Sequence, residues 1–416
     1  MKNLTIIIFT IFLTQLSNNA EACTLFWSSR NNTILAAKNM DWANTDARML
    51  FIPASEGKFG RVYFGIESQW GFTNTSGMNE HGLWYAGASL PERTVYNTHN
   101  KPRWDYELIE KIMEECITVE DAIEIFSTYW EPHWDGHSLI ADKYGNCVCI
   151  EYGEDDVVYI HNQADYQVAT NFYLSDSINN RWYNCYRYNT ANEILKSNSE
   201  ISFDLFRTIA DETHAEGSSN PTTLTTIHDL IKGEIQLYYS HNFNEVLKIN
   251  LFEELEKGEH YMKCPDFFTR LKLCSPEKGE SVESNKITFT WKGDASKYYL
   301  HYSKNKDFSE YEVVKLNKNK YVKANFNTGI LGLSALVFLF LFKKRKKVLI
   351  VFSSILIITF SHISCKKDNI EPQFSNQLHS ITLENFEPDT QYYWKILVSE
   401  AQQMQSESIV YDFHTY

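Results

Sequence analysis

The chain has 416 residues, 43% of them hydrophobic, 22% charged and 15% aromatic; this composition excludes a disordered polypeptide and gives length enough for two domains. A formal net charge of −14 gives no electrostatic basis for binding nucleic acid. The aromatic share is carried mainly by 25 Tyr and 26 Phe, which favours sheet cores over helical bundles.

The chain opens with Met1-Lys2, an apolar stretch from Leu4 to Leu16, and Ala20-Glu21-Ala22. This is the pattern of a secretory signal with a small-residue cleavage site, and the apolar stretch is too short for a membrane anchor. Cleavage after Ala22 would make Cys23 the first residue and give it a thiol and a free α-amine together. Export would make disulfides available to the eight cysteines. Cys264 and Cys274 are close enough in sequence to pair, and Cys147 and Cys149 would share one face of a strand, but spacing does not fix connectivity. Cys116, on an amphipathic helix, reads as a small buried hydrophobe.

Strands are expected at Thr24 to Trp27 and Thr33 to Lys38, joined as a hairpin by a polar turn at 28–32. Strands from Gly60 to Gly65 and from Leu83 to Gly87 flank the turn-rich Gly77-Met78-Asn79-Glu80-His81-Gly82. Leu108, Ile109, Ile112, Met113 and Cys116 recur at helical spacing. Thr118 then caps a second helix, with Asp121 in the capping-box position and Ala122, Ile123 and Phe126 facing inward. A meander follows at Ser138 to Asp142, Cys147 to Tyr152 and Val157 to His161, then a strand from Tyr166 to Thr170 that ends at Asn171. Helices over Arg187 to Lys196 and Phe203 to Glu212 precede a last hairpin, Thr225 to Leu230 with Glu234 to Ser240. This order suits a layered α+β domain rather than a doubly wound sheet.

Composition changes near 274–279. Beyond it, strands are expected at Lys286 to Trp291, Lys297 to Tyr302, Tyr311 to Leu316, His379 to Leu383, Tyr392 to Val398 and Ser408 to His414. Phe386-Glu387-Pro388-Asp389-Thr390-Gln391-Tyr392 resembles the tyrosine corner of a fibronectin type III domain, and Trp291 fits that family's core tryptophan. Between the two halves, apolar runs from Phe326 to Phe342 and Val348 to Ser364 flank Lys343-Lys344-Arg345-Lys346-Lys347. Each run is near the short end of what spans a bilayer, and the basic loop would be cytoplasmic. A membrane hairpin is the expectation; a lipoprotein-like signal ending at Cys365 and an insertion into an ordinary sandwich compete with it. The expected organisation is a signal at 1–22, a catalytic domain at 23–272, sandwich halves at 275–323 and 373–416, and the hairpin at 326–364.

A thiol becomes a nucleophile by losing its proton to a nearby base. A free α-amine, with a reference pKa of about 7.7–8.0 against about 8.5 for Cys, can take that proton at little cost. Cys23 could instead carry lipid or be inert; Ala20 and Glu21 fit a lipid-attachment motif poorly. Several segments bear on this choice. They are Cys23-Thr24-Leu25-Phe26 followed by Ala37-Lys38-Asn39-Met40-Asp41-Trp42, then Gly77 to Leu83, Ala169-Thr170-Asn171, Cys185-Tyr186-Arg187-Tyr188, Tyr238 to Phe243 and Leu251 to Gly258. In this order they resemble the choloylglycine hydrolase and penicillin V acylase family of linear-amide hydrolases, over residues 23 to about 270.

That resemblance implies a four-layer αββα N-terminal nucleophile fold, followed here by the small all-β sandwich. It implies that Cys23 attacks an amide carbonyl with its own α-amine as base, that Asp41 orients the amine, that Asn171 donates to the oxyanion and that Arg187 orders the charges. Lys38 stands where the family usually has Arg, which keeps a cation but loses the planar fork. Ser89 stands where bile-salt hydrolases carry a second oxyanion Asn, which weakens the case for bile salts. The expected substrate is a small N-acyl amide, handled without cofactor or metal, by an exported and membrane-anchored enzyme. Transfer of the acyl group to an amine, and the oligomeric state, stay open. The competing reading is a membrane-tethered binding or adhesion protein with an inactive hydrolase-like domain.

Overall fold

The computed structural model describes residues 23–93, 99–132, 136–153, 156–176, 185–216, 219–317, 377–398 and 406–416. The signal-like segment and its junction at Ala22, the apolar runs at 326–364, and Cys365 lie outside the described residues. Among the described residues no helix is long and apolar enough to cross a membrane. The chain divides into two units, one running to Thr269 and including Leu397–Ile409, the other comprising Arg270–Ile396 and Val410–Tyr416.

In the first unit the chain order is β1 (Thr24–Arg30), β2 (Thr33–Asp41), β3 (Ala47–Ile52), β4 (Arg61–Ser68), β5 (Gly71–Asn79) and β6 (Trp84–Ser89), then helices α1 (Leu108–Glu115) and α2 (Val119–Thr128). Strands β7 (Gly136–Ala141), β8 (Cys147–Tyr152), β9 (Val157–His161) and β10 (Tyr166–Ala169) follow, then helices α3 (Tyr186–Ser197) and α4 (Phe203–Glu212). The unit closes with β11 (Thr222–Asp229), β12 (Glu234–Tyr239), β13 (Glu245–Asn250), α5 (Leu251–Leu255) and β14 (His260–Lys263).

Two antiparallel sheets result. One has the order β10-β1-β2-β11-β12-β13 and the other β14-β3-β4-β5-β6-β7-β8-β9. The β1–β2 hairpin turns on Asn31 and Asn32 alone, at φ 50 and 60, with Arg30 facing Thr33; Asn tolerates this left-handed pair, which matches the twist of the strands. The turn is therefore shorter than the expected 28–32.

Side chains alternate along β1. Leu25 and Trp27 enter the core between the sheets, while Phe26 packs with Leu35, Ala37, Ala191, Leu195, Phe206 and Ile209 beneath α3 and α4. On the outer face of the second sheet, Leu108, Ile112, Met113, Ala122 and Phe126 of α1 and α2 cover Tyr63, Tyr85, Ile140 and Val148. The layers run helix, sheet, sheet, helix, as the αββα expectation requires. Both faces of the central strands are buried, as in β2, β8 and β11, so these read as apolar runs more than as clean alternation.

Thr118 and Asp121 form the expected capping box on α2, and the Ser202 side chain accepts from Leu205 N to cap α4. The segment from Gly77 to Leu83 is structural. Asn79 Oδ1 accepts from the His81 and Leu83 amides at 3.1 Å each, and its Nδ2 donates to the Met113 and Cys116 carbonyls at 3.2 and 2.8 Å. The strand Ser406–Ser408 pairs with β13, and Leu397–Ile409 groups with the first unit.

The second unit is all-β. Lys272–Ser275, Lys286–Lys292 and Leu378–Glu384 make one sheet. The other contains Glu280–Val282, Tyr411–Thr415, Lys297–Ser303, Glu312–Asn317 and the strand Gln391–Val398 as far as Ile396. Phe289, Trp291, Leu300, Trp394 and Phe413 are its buried core, with Phe289 and Trp394 edge to face at 5.1 Å. The Glu387 N–H donates to the Tyr392 hydroxyl at 3.1 Å, the tyrosine-to-turn bond expected of that segment. Cys264 and Cys274 are free, as are Cys147 and Cys149.

Candidate active site

Cys23 sits immediately before β1 and is 5% exposed. Because β1 pairs with β10 (Leu25 opposite Ala169) and with β2 (Thr24 opposite Asn39), the residues just past β10 and at the end of β2 flank it. These are Asn171 and Asp41. Cys23 N donates to Asn171 Oδ1 at 2.7 Å. Arg187, in the first turn of α3, donates from Nη1 to the Cys23 carbonyl at 2.7 Å and to Thr24 Oγ1 at 3.2 Å, and from Nη2 to Asn171 Oδ1 at 3.1 Å. The same Nη1 lies 3.4 Å from Asp41 Oδ2. Asp41 is fully buried and its other oxygen accepts from Thr222 Oγ1. Lys38 is buried too, and its Nζ donates to the Thr75 carbonyl at 2.9 Å.

All five sequence-predicted residues, Cys23, Lys38, Asp41, Asn171 and Arg187, are thus in or beside one cluster, with pairings that differ in two respects from those expected. The Cys23 nitrogen meets Asn171 rather than Asp41, whose carboxylate is held by Thr222 and Arg187. Asn171 Nδ2 donates to the Ser89 carbonyl at 2.9 Å. Thr222 escaped the sequence reading because that strand was expected to start at Thr225, three residues late; the Pro221-Thr222-Thr223 run was its signal. Ser89 contributes its backbone carbonyl to Asn171.

Burial pushes the Cys23 thiol up from its ordinary range and the Asp41 charge adds to this, against Lys38, the Asp41 backbone N–H directed at the sulfur, and Arg187. Burial likewise raises the Asp41 carboxyl to about 7, against the pull of Arg187, Thr222 and Lys38. The fixed cations therefore oppose the dry surroundings without overcoming them.

A cavity of about 430 Å³ opens beside the thiol, lined by Cys23, Lys38, Trp42, Tyr85, Gly87, Ser89, Glu107, Glu131 and His137 among others. It lies where the second sheet forks. β5 and β6 pair only from Ser76–Ala86 to Met78–Trp84, after which β5 continues with β4 and β6 with β7. Gly87 sits in the fork, and a Cβ added there would have Thr75 O at 3.8 Å and His137 O at 3.9 Å, ordinary contacts.

His137, Cys149 and Glu151 are completely buried, with His137 Nδ1 3.2 Å from Glu151 Oε1 and 3.5 Å from Cys149 Sγ. Among the described residues they are the one His/Cys/Asp/Glu group close enough to share a metal ion. Glu151 already accepts from the Leu174 and Ser175 amides at 2.7 and 3.0 Å and from Ser175 Oγ at 2.5 Å. A carboxylate so occupied serves as the anchor of a hydrogen-bonded network.

The family model of the acyl-coenzyme A:6-aminopenicillanic acid acyl-transferases matches residues 27–244, just over half of the chain. Among solved structures, a mutant of the conjugated bile acid hydrolase of Clostridium perfringens is similar at 18% identity over 58% of this chain and 96% of its own, with a TM-score of 0.47. The penicillin V acylase of Agrobacterium tumefaciens is similar at 16% identity over 58% of this chain and 91% of its own, with a TM-score of 0.47. No curated protein matches the sequence.

Proposed function

The chain belongs to the acyl-coenzyme A:6-aminopenicillanic acid acyl-transferase family, and from that premise we propose that it is an exported cysteine amidohydrolase. Removal of residues 1–22 activates it, and it cleaves the C–N bond of a small N-acyl amide. The observation that carries this is the grip on residue 23. Its nitrogen and its carbonyl are each bonded at 2.7 Å by side chains far away in sequence, Asn171 and Arg187, while its thiol lines a cavity. An ordinary strand residue has no need of two such partners.

With residue 22 attached, the Cys23 nitrogen is an amide and has no basic lone pair. Once freed, it becomes the base. It takes the thiol proton, sulfur bonds to the substrate carbonyl carbon, and the carbonyl π pair moves onto oxygen. Collapse of that adduct breaks the C–N bond, and the proton held by the α-amine passes to the departing nitrogen, so a free amine leaves and a thioester stays on Cys23. Water, deprotonated by the same amine, then releases the acyl group as an acid and restores the thiol. An amine in place of water would give acyl transfer. Asn171 holds the nucleophile's nitrogen in place, Arg187 fixes the residue through its carbonyl, and Lys38 favours the thiolate.

The test is direct. Intact mass of the protein purified from an exporting host should show a chain starting at an unmodified Cys23, and an N-acyl amide should trap a mass adduct on that residue. Retention of Met1, lipid on Cys23, or full turnover by Cys23→Ala would overturn the proposal.

A further inference from the structure

Thr222 opens β11 and is buried. It stands opposite Asp41 of β2, and the register of the two strands shifts between Thr222 and Leu224. An irregularity of this kind re-aims side chains beside a site. Thr222 Oγ1 is bonded to Asp41 Oδ1, while Thr223 Oγ1 donates to the Trp42 carbonyl at 2.8 Å. The backbone of Thr222 is pinned as well. Its N–H donates to the Ala215 carbonyl at 3.0 Å, and its own carbonyl faces His241 Nδ1 at 3.2 Å. Its Oγ1 also accepts from the Ala215 N–H at 2.8 Å.

The bond from Ala215 fixes the direction of the hydroxyl. A threonine hydroxyl has one hydrogen and two lone pairs. The Ala215 N–H takes one lone pair, which leaves the hydrogen for Asp41 Oδ1. Asp41 Oδ2 lies 3.4 Å from Arg187 Nη1, and a guanidinium donates but never accepts. Each oxygen of this buried carboxyl therefore faces a donor, the arrangement that suits its ionised form. Burial works the other way and lifts the carboxyl to about 7, against Arg187, Thr222 and Lys38. The charged or titratable groups around Asp41 are Arg187 of α3, Lys38 of β2 and the Cys23 thiol. Behind Thr222 stand His241, which burial holds below the ordinary imidazole range, and His214, stacked on it at 5.2 Å.

We propose that Thr222 is a positioning residue of the site. Aimed by the Ala215 amide, its hydroxyl holds the Asp41 carboxylate ionised and paired with Arg187, the side chain that grips the Cys23 carbonyl. The effect on turnover rests on the amidohydrolase reading; the bond to Asp41 does not. On that reading the α-amine is positively charged while it holds the thiol proton. An ionised carboxyl nearby stabilises that charge, and a neutral one does not. Thr222 acts through Asp41 and not on the substrate.

Infrared titration of the purified full chain tests this, following the protonated-carboxyl band that Asp41→Asn removes. In Thr222→Val the midpoint of that band should lie at least about one pH unit above the parent's, the effect of losing one hydrogen bond to a charged group. Thr222→Ser keeps the hydroxyl and should keep the parent's midpoint. The acid limb of kcat/KM for an N-acyl p-nitroanilide should move with the band. The proposal is overturned by an unchanged midpoint in Thr222→Val, by a Thr222→Ser midpoint that moves as far, or by a moved band with an unmoved acid limb. Should Thr222→Val not fold, Thr222→Cys decides. A thiol is a weak donor, so its midpoint should also rise, and an unchanged one refutes the role. A moved band in a chain that hydrolyses no N-acyl amide would sink the enzymatic reading only. Turnover with a midpoint that no variant moves would sink the role of Thr222 only.

Discussion

Asp41 gives a stability test that needs no substrate. With residue 22 attached, its carboxyl keeps a proton up to about pH 7, whereas the ordinary value is 3.8. Between those limits the folded chain binds a proton that the unfolded chain has released, so stability falls as pH rises through the window. At roughly 1.4 kcal/mol per pH step the whole window amounts to roughly 4 kcal/mol, lost by pH 8 and absent as a cost below pH 4. Asp41→Asn keeps the shape and removes the titration. Urea unfolding, followed by a probe in the first unit because two units need not melt together, should show wild type and variant converging near pH 4.5. At pH 8 the variant should be the more stable by a few kcal/mol. If it is instead the less stable at pH 8, the Asp41–Arg187 pair is a net stabilising ion pair and burial does not dominate.

Gly82 has φ +77 and its added Cβ would stand 2.2 Å from the Leu230 carbonyl oxygen, so Gly82→Ala should cost about 3 kcal/mol in thermal or urea unfolding. Lys38 is the largest of the influences that favour the Cys23 thiolate; Lys38→Met should slow alkylation of Cys23 by iodoacetamide about tenfold at pH 8, mapped by peptide mass, and unchanged labelling would remove Lys38 from the thiol's surroundings. Tyr392→Phe deletes the bond from Glu387 N and should lower the stability of the second unit by about 1 kcal/mol without altering the chemistry at Cys23.

What the sequence made legible follows the range of the interactions involved. Helices α1, α2 and α4 were readable because apolar spacing and caps are local, and Thr118 with Asp121 forms the expected box. The hairpin β1–β2 was readable from its two apolar runs and the polar turn between them. Strands β3 and β13 were not, although the turn-type residues Asn44-Thr45-Asp46 and Ser240-His241-Asn242 precede them; their places are set by pairing to β4 and β12. The residues of the site were reached by their order in a motif, but their bonds were not. Whether Asn171 takes the Cys23 nitrogen or the oxyanion depends on which neighbour, here Ser89, holds its amide. Glu131 gave no signal at all, because nothing in Tyr129-Trp130-Glu131-Pro132 announces a carboxyl that will be folded in against the start of α1.

The proximity of Lys38, Arg187 and Asp41 bears on why a single cut would suffice for activation. A base at neutral pH must be an uncharged amine, and an α-amine has a reference pKa of about 7.7–8.0. Two cations act on the Cys23 thiol, Lys38 and Arg187, and Arg187 also grips the Cys23 carbonyl. Both disfavour a third positive charge on the adjacent nitrogen, while the Asp41 carboxyl favours it. Asp41 is itself drawn toward its neutral form by burial, so the cations carry more weight in the balance. Lys38 and Arg187 pull the thiol toward thiolate, against its burial and the Asp41 charge. On the proposed reading one charge arrangement would act on both the thiol and the freed nitrogen of Cys23.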